Sequence, residues 1–89
     1  MNLNSKFIDL ITEVMHIARE YGFKSGREWA KKAYDKGELS YIELMEYEKA
    51  TNLRNTLVYG NDLAIIVSVD IYDFAVRIKE LIINSKIRI

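Results

Sequence analysis

The chain has no cysteine, no proline, a single histidine and only four glycines among its 89 residues. Without cysteine there is neither a disulfide framework nor a thiolate metal site, and nothing in the composition points to an oxidising compartment. The one histidine, His16, cannot form a zinc cluster by itself, so no metal and no cofactor is expected. Without proline, no helix is broken by that route. An excess of charge is missing too: 13 basic residues against 13 acidic ones give zero formal net charge. That removes the usual electrostatic argument for broad, non-specific nucleic-acid binding and leaves room only for a local basic patch. No apolar run approaches the ~20 residues needed to cross a bilayer. The N-terminal MNLNSKFIDL lacks the apolar core of a signal peptide. The expectation is a cytoplasmic protein with no membrane association.

Hydrophobic residues make up 49% of the chain and charged residues 29%, which is the balance of a globular protein rather than a disordered one. Repeats, low-complexity tracts and linkers are lacking, so residues 1–89 read as a single domain. A core of this size is modest, and dimerisation often supplies the missing burial.

Phe7, Leu10, Ile11, Val14, Ile17, Ala18 and Tyr21 recur at three- and four-residue spacing and predict a first amphipathic helix over residues 3–21, closed by Gly22. His16 falls with Asp9, Glu13 and Glu20 on its solvated face. Ser25 and Glu28 have capping-box spacing and start a short second helix carrying Trp29, Ala30, Ala33 and Tyr34, which ends before Gly37. Ser40 and Glu43 repeat the device, starting a third helix at Tyr41 that nothing halts before Gly60. This third helix has two apolar faces, Ile42, Ala50, Leu53 and Leu57 on one, Leu44, Tyr47 and Val58 on another. Such a helix either lies centrally in its own bundle or meets a partner subunit. The remaining segment is ambiguous, because AIIVSV (64–69) is β-branched while Ile71, Phe74, Ala75, Ile78, Leu81 and Ile82 keep helical period. A lone strand has no partner here, so one long helix from Asp62, its N-cap, to Asn84 is expected. The tail KIRI is expected to fray or to lie against a partner. Trp29, Tyr34, Tyr41, Tyr47, Tyr72 and Phe74 read as core or interface residues.

The chemically unusual stretch is LRNTLVYG (53–60), in which a charged and an amide residue sit side by side among aliphatics. Arg54 lies between the two apolar faces of the third helix. Asn55 and Tyr59, four residues apart, share one side of it, one turn from Asn52. Gly60 suits a left-handed C-cap, and the helix dipole favours a cation nearby. A structural account of Arg54 is an ion pair with Glu43 or Glu46, or hydrogen bonds to free carbonyls at a helix end. For Asn55 it is a capping or interhelical hydrogen bond, and for Tyr59 amphipathic packing.

The segment AYDKGELSYIELMEYEKATNLRNTLVYG, followed by a long terminal helix, resembles the core of the HEPN domain family, in particular the small toxin-type HEPN proteins that pair with a minimal nucleotidyltransferase. The resemblance covers residues 28–84. The family hallmark is Arg-Asn, three residues, then His-Gly or His-x-Tyr at the third-to-fourth helix junction. Here Arg54 and Asn55 match, whereas Tyr59 stands where the family has histidine. The resemblance implies an all-α, four-helix antiparallel bundle that dimerises so that two copies of the motif form an RNA-cleaving site. Arg54 would steady the scissile phosphate, and the missing histidine would have moved protons at the ribose 2′-hydroxyl or the leaving oxygen. In this family a tyrosine two residues after the histidine is often modified with a nucleotide by the paired transferase; that place is Asn61, so this form of regulation does not carry over.

A phenol ordinarily ionises near pH ~10 and an imidazole near ~6.5, so tyrosine is a poor general base at neutral pH but still donates a hydrogen bond. The substitution predicts that Arg54, Asn55 and Tyr59 still bind RNA or a nucleotide phosphate while metal-independent endoribonuclease activity is weak or lost, by roughly 10²–10⁴-fold. The alternative is a non-catalytic homodimeric adaptor. A DNA-reading helix-turn-helix is disfavoured, because the third helix would present Glu43, Glu46 and Glu48 to an anionic groove. Lys24, Arg27, Lys31 and Lys32 follow one side of the second helix, where they either contact phosphates or form a solvated face.

Overall fold

The computed structural model describes residues 2–60 and 65–89, and among these it contains four helices and no strand: α1 (Asn4–Glu20), α2 (Gly26–Asp35), α3 (Tyr41–Tyr59) and α4 (Val69–Ile83). Helix α1 is the hub, packing against all three others, whereas α3 and α4 touch only slightly and α2 and α4 do not meet. Its Phe7, Ile11, Val14 and Ala18 are wholly buried, as the period of the sequence requires. Trp29, Ala30 and Ala33 of α2, Leu44, Tyr47 and Ala50 of α3, and Ala75, Ile78 and Ile82 of α4 complete the core with Phe23, Leu39 and Val67. No described helix is long and apolar enough to cross a membrane. Because α1 holds the centre, α3 is not the central helix; of its Ile42, Ala50, Leu53 and Leu57 face, Ala50 is buried, Leu53 and Leu57 pack against the core, and only Ile42 stands out, 72% exposed.

The helix boundaries follow their caps. Ser40 and Glu43 form a complete capping box, the serine hydroxyl accepting from Glu43 N–H and the glutamate accepting from Ser40 N–H. At Ser25 only one half forms, Glu28 N–H donating to the serine hydroxyl. Gly22 (φ +100°) and Gly37 (φ +82°) make the two left-handed turns. Gly60 does not: its φ is −87°. Glycine is needed there for space instead, because a Cβ would sit 2.6 Å from the Thr56 carbonyl oxygen.

Two expectations for the C-terminal third are corrected. Helix α4 begins at Val69 with Ser68 as its cap, accepting from Ile71 N–H, not at Asp62, which lies outside the described residues. The β-branched residues ahead of it are neither helix nor strand. The Asn4 side-chain amide holds them, donating to the Ile65 carbonyl (2.9 Å) and accepting from Val67 N–H (2.8 Å). One amide thus replaces the missing partner strand and lets Val67 be buried. Nor is the tail frayed. Ser85 accepts from the Trp29 indole N–H (3.0 Å) and donates to Glu38, whose other oxygen accepts from Lys86 N–H. The Arg88 guanidinium lies 3.3 Å from the Tyr21 ring centroid, and Ile89 N–H donates to the Tyr21 carbonyl. The tail folds back on its own chain.

Of the aromatics expected in the core or at an interface, Tyr34 and Tyr41 are outside the core, 41% and 60% exposed and meeting edge to face at 6.0 Å. Trp29 and Tyr47 are the buried aromatic pair, edge to face at 6.3 Å.

The Tyr47 hydroxyl presses on Gly26, where a Cβ would come within 1.9 Å of it. Gly26→Ala is therefore expected to lower unfolding stability by about 1–3 kcal/mol. Adding Tyr47→Phe, which removes the clashing oxygen, is expected to restore part of that loss in urea titrations, giving a non-additive double-mutant cycle. Ser85→Ala, which strands the indole N–H, is expected to cost about 1–3 kcal/mol by the same measurement.

Candidate functional site

The structure gathers Arg54, Asn55 and Tyr59 at the last turns of α3. The Arg54 side chain is half-buried and leans toward α1, where its Nε–H donates to the Thr12 hydroxyl (3.2 Å). A terminal N–H donates to the Asn55 side-chain oxygen (3.0 Å). The guanidinium carbon stands 5.9 Å from the Tyr59 ring centroid, within the range of a cation–π contact. Asn55 is exposed and Tyr59 is 76% exposed, so one side of the cluster is open to solvent. Asn52 lies a turn earlier, its carbonyl accepting from the Thr56 hydroxyl.

Among the described residues no carboxylate comes within ion-pair distance of Arg54. The ion pairs that form are Arg77 with Glu43 (2.9 Å), Lys79 with Glu13, and Arg27 with Glu48 (4.0 Å). Glu43 is engaged elsewhere, one oxygen capping α3 and the other at ion-pair distance from Arg77 though without hydrogen-bond geometry, and so is not the counterion of Arg54. Glu46 faces the shallow groove between α3 and α4 instead. Among the described residues Asn55 neither caps the helix nor bridges to another one; it orients its neighbour. The cluster is therefore a guanidinium held by two neutral oxygen acceptors with donor capacity left over. Such a group takes a carboxylate or phosphate well, in bidentate geometry where the ligand allows. The α3 C-terminal dipole steadies the cation but gives an anion no help, so the guanidinium must supply that attraction itself.

His16 is exposed on α1, as its wheel position predicts. Thr12 was not recognised as a site residue. It lies on the same helix as the apolar stripe, and only the docking of α1 against α3, 42 residues away in sequence, gives its hydroxyl a role.

A second polar feature was not anticipated. The Tyr47 and Thr51 hydroxyls are buried within reach of each other, without the geometry of a full hydrogen bond. Burial pushes the Tyr47 phenol above its ordinary pKa, with the nearby Thr51 hydroxyl and the Arg27 guanidinium pulling the other way, so it is a neutral donor at physiological pH. Tyr47, Thr51, Asn55 and Tyr59 recur every four residues and form one row along α3.

Comparison with protein-family models, curated proteins and solved structures finds no match.

If the Thr12 contact orients Arg54, Thr12→Val should leave unfolding stability within about 1.5 kcal/mol of wild type. In NMR spectra the same substitution should speed solvent exchange of the Arg54 Nε proton.

Proposed function

We propose that this chain is a HEPN-like helical module of toxin–antitoxin type that binds an RNA or nucleotide phosphate through Arg54, with Asn55 and Tyr59 as flanking polar groups and with ribonuclease activity weak or lost. The observation that carries this reading is a half-buried, oriented guanidinium with no carboxylate beside it among the described residues. A solely structural arginine at this depth is commonly matched to a carboxylate, whereas the partners of Arg54 among the described residues are the neutral oxygens of Thr12 and Asn55. The Arg54–Asn55 pairing and the position of Tyr59 also agree with the motif likeness.

Homodimerisation belongs to the same proposal. It is supported by the apolar residues that α3 and its neighbours leave at the surface, Ile42 (72% exposed), Ile66 (73%) and Val69 (63%), on a chain short enough to benefit from further burial. A minimal nucleotidyltransferase remains the partner that the family likeness implies. The same exposed apolar residues favour the second reading, a non-catalytic homodimeric adaptor, in which Arg54 merely ties α3 to α1.

Incubation with transfer RNA or messenger RNA separates the two. Wild type is expected to bind with little cleavage, Arg54→Ala to bind at least tenfold more weakly, and Tyr59→His to cut roughly 10²–10⁴-fold faster than wild type. If neither wild type nor Tyr59→His binds or cuts RNA, the adaptor reading stands. Sedimentation tests the dimer separately, since a stable monomer at micromolar concentration contradicts it.

A further inference from the structure

The side of α3 that borders the groove toward α4 carries Ile42, Glu46, Lys49 and Leu53. With roughly 3.6 residues per turn, these four fall within about 60° of one another around the helix. Their spacing reads the same from either end of the row, and so does their chemistry apart from the sign of the charge: apolar, acidic, basic, apolar. Little of this row is used inside the subunit. Ile42, Glu46 and Lys49 are exposed, and neither charge has an ion-pair partner among the described residues. Leu53 is half-buried and, with Ala50, Ile71 and Phe74, floors the groove. Ala50 ends at its Cβ, so that floor is an unfilled hollow of about 200 Å³. An isoleucine standing out of the surface and an empty apolar hollow thus lie on one helix face, about three turns apart. Two such features on one molecule can satisfy each other only in a second copy, and a twofold axis lets both copies do so at once.

We propose that α3 packs antiparallel against α3 of a second copy, across a twofold axis level with the midpoint of Tyr47 and Glu48. The inference rests on the homodimer proposed above and names the surface that forms it. In this register Ile42 of each copy enters the hollow beside Leu53 of the other, and Glu46 of each faces Lys49 of the other. Charge selects the register. An axis at Glu46 would set two carboxylates together, an axis at Lys49 two ammonium groups, and a parallel pairing of the helices would do both. A helix from an unrelated protein would have to bring a matching order of acid, base and apolar side chain, which this chain already carries. Arg54 leans toward α1 through Thr12 and takes no part in the contact, so its cluster and the dimer face are separable.

The test is sedimentation of the intact protein and its charge variants at low ionic strength, where ion pairs across an interface are least screened. Wild type is expected to dimerise at micromolar concentration. Glu46→Lys and Lys49→Glu each leave two like-charge pairs across the axis, and each is expected to raise the dissociation constant about tenfold or more. An equimolar mixture of the two variants restores opposite charges at both places, and a heterodimer of near wild-type affinity is expected. The absence of native cysteine allows a second measurement. Ile42→Cys and Leu53→Cys chains, mixed and oxidised, are expected to form a disulfide in roughly tenfold greater yield than either variant alone, whose own thiols stand too far apart. A monomeric wild type overturns this surface and the homodimer reading together. A dimer that both charge variants leave unchanged, or mixed cysteine chains that cross-link no better than either alone, overturns this surface while dimerisation by another face stands.

Discussion

The contact between the Tyr47 ring and Gly26 governs how the rest of this bundle is assembled. A fully buried tyrosine on α3 needs a place for its hydroxyl, and the missing side chain of the first α2 residue provides it. That approach sets α2 across α3 with Trp29 edge-on to the same ring, so two of the largest side chains fill one region of the core. It also fixes what each half of α3 can do. The first half is covered by α2 and supplies Leu44, Tyr47 and Ala50 to the interior. The second half runs past α2 and is held to α1 through Thr12 and Arg54. The polar end of α3 is thus positioned by a core contact two to three turns away.

A chain this short gains much of its definition from side chains that satisfy backbone groups outside the helices. Asn4 does so for residues 65 and 67, and Glu38 with Ser85 does so for the tail. These are hydrogen bonds between segments some 50 to 60 residues apart in sequence, and they close the bundle at both ends. They also explain why the apolar tail residue Ile87 packs against the core instead of lying loose. Between α3 and α4, joined among the described residues by the Arg77–Glu43 ion pair, a shallow groove of about 200 Å³ remains, floored by Ala50, Leu53, Ile71 and Phe74 and edged by Glu46, Lys49 and Asp70.

Zero net charge conceals an uneven local distribution. Glu43, Glu13 and Glu48 are committed to Arg77, Lys79 and Arg27. Arg54 is held by neutral oxygens instead, and the Arg27 pairing is a long one. Both guanidiniums adjoin the row of Tyr47, Thr51, Asn55 and Tyr59. Of that row, Tyr47 is buried in the core and the Thr51 hydroxyl is covered, whereas Asn55 and Tyr59 reach the surface.

By itself the sequence determined the spans of α1 to α3, the Ser25 and Ser40 caps, the buried stripe of α1, the exposure of His16 and the grouping of Arg54, Asn55 and Tyr59. All of these depend on residues within about one or two helical turns of one another, where period and capping chemistry are decisive. Tertiary structure alone decided the late start of α4, the docked tail, the surface placement of Tyr34 and Tyr41, the extended Gly60 and the neutral partners of Arg54. It also decided that α1 and not α3 takes the centre, and that two hydroxyls on α3 would be sealed beside the start of α2. Each of these turns on which distant group arrives at a given place. An amide from residue 4 or a hydroxyl from residue 12 leaves no periodic trace in the segment it will eventually satisfy.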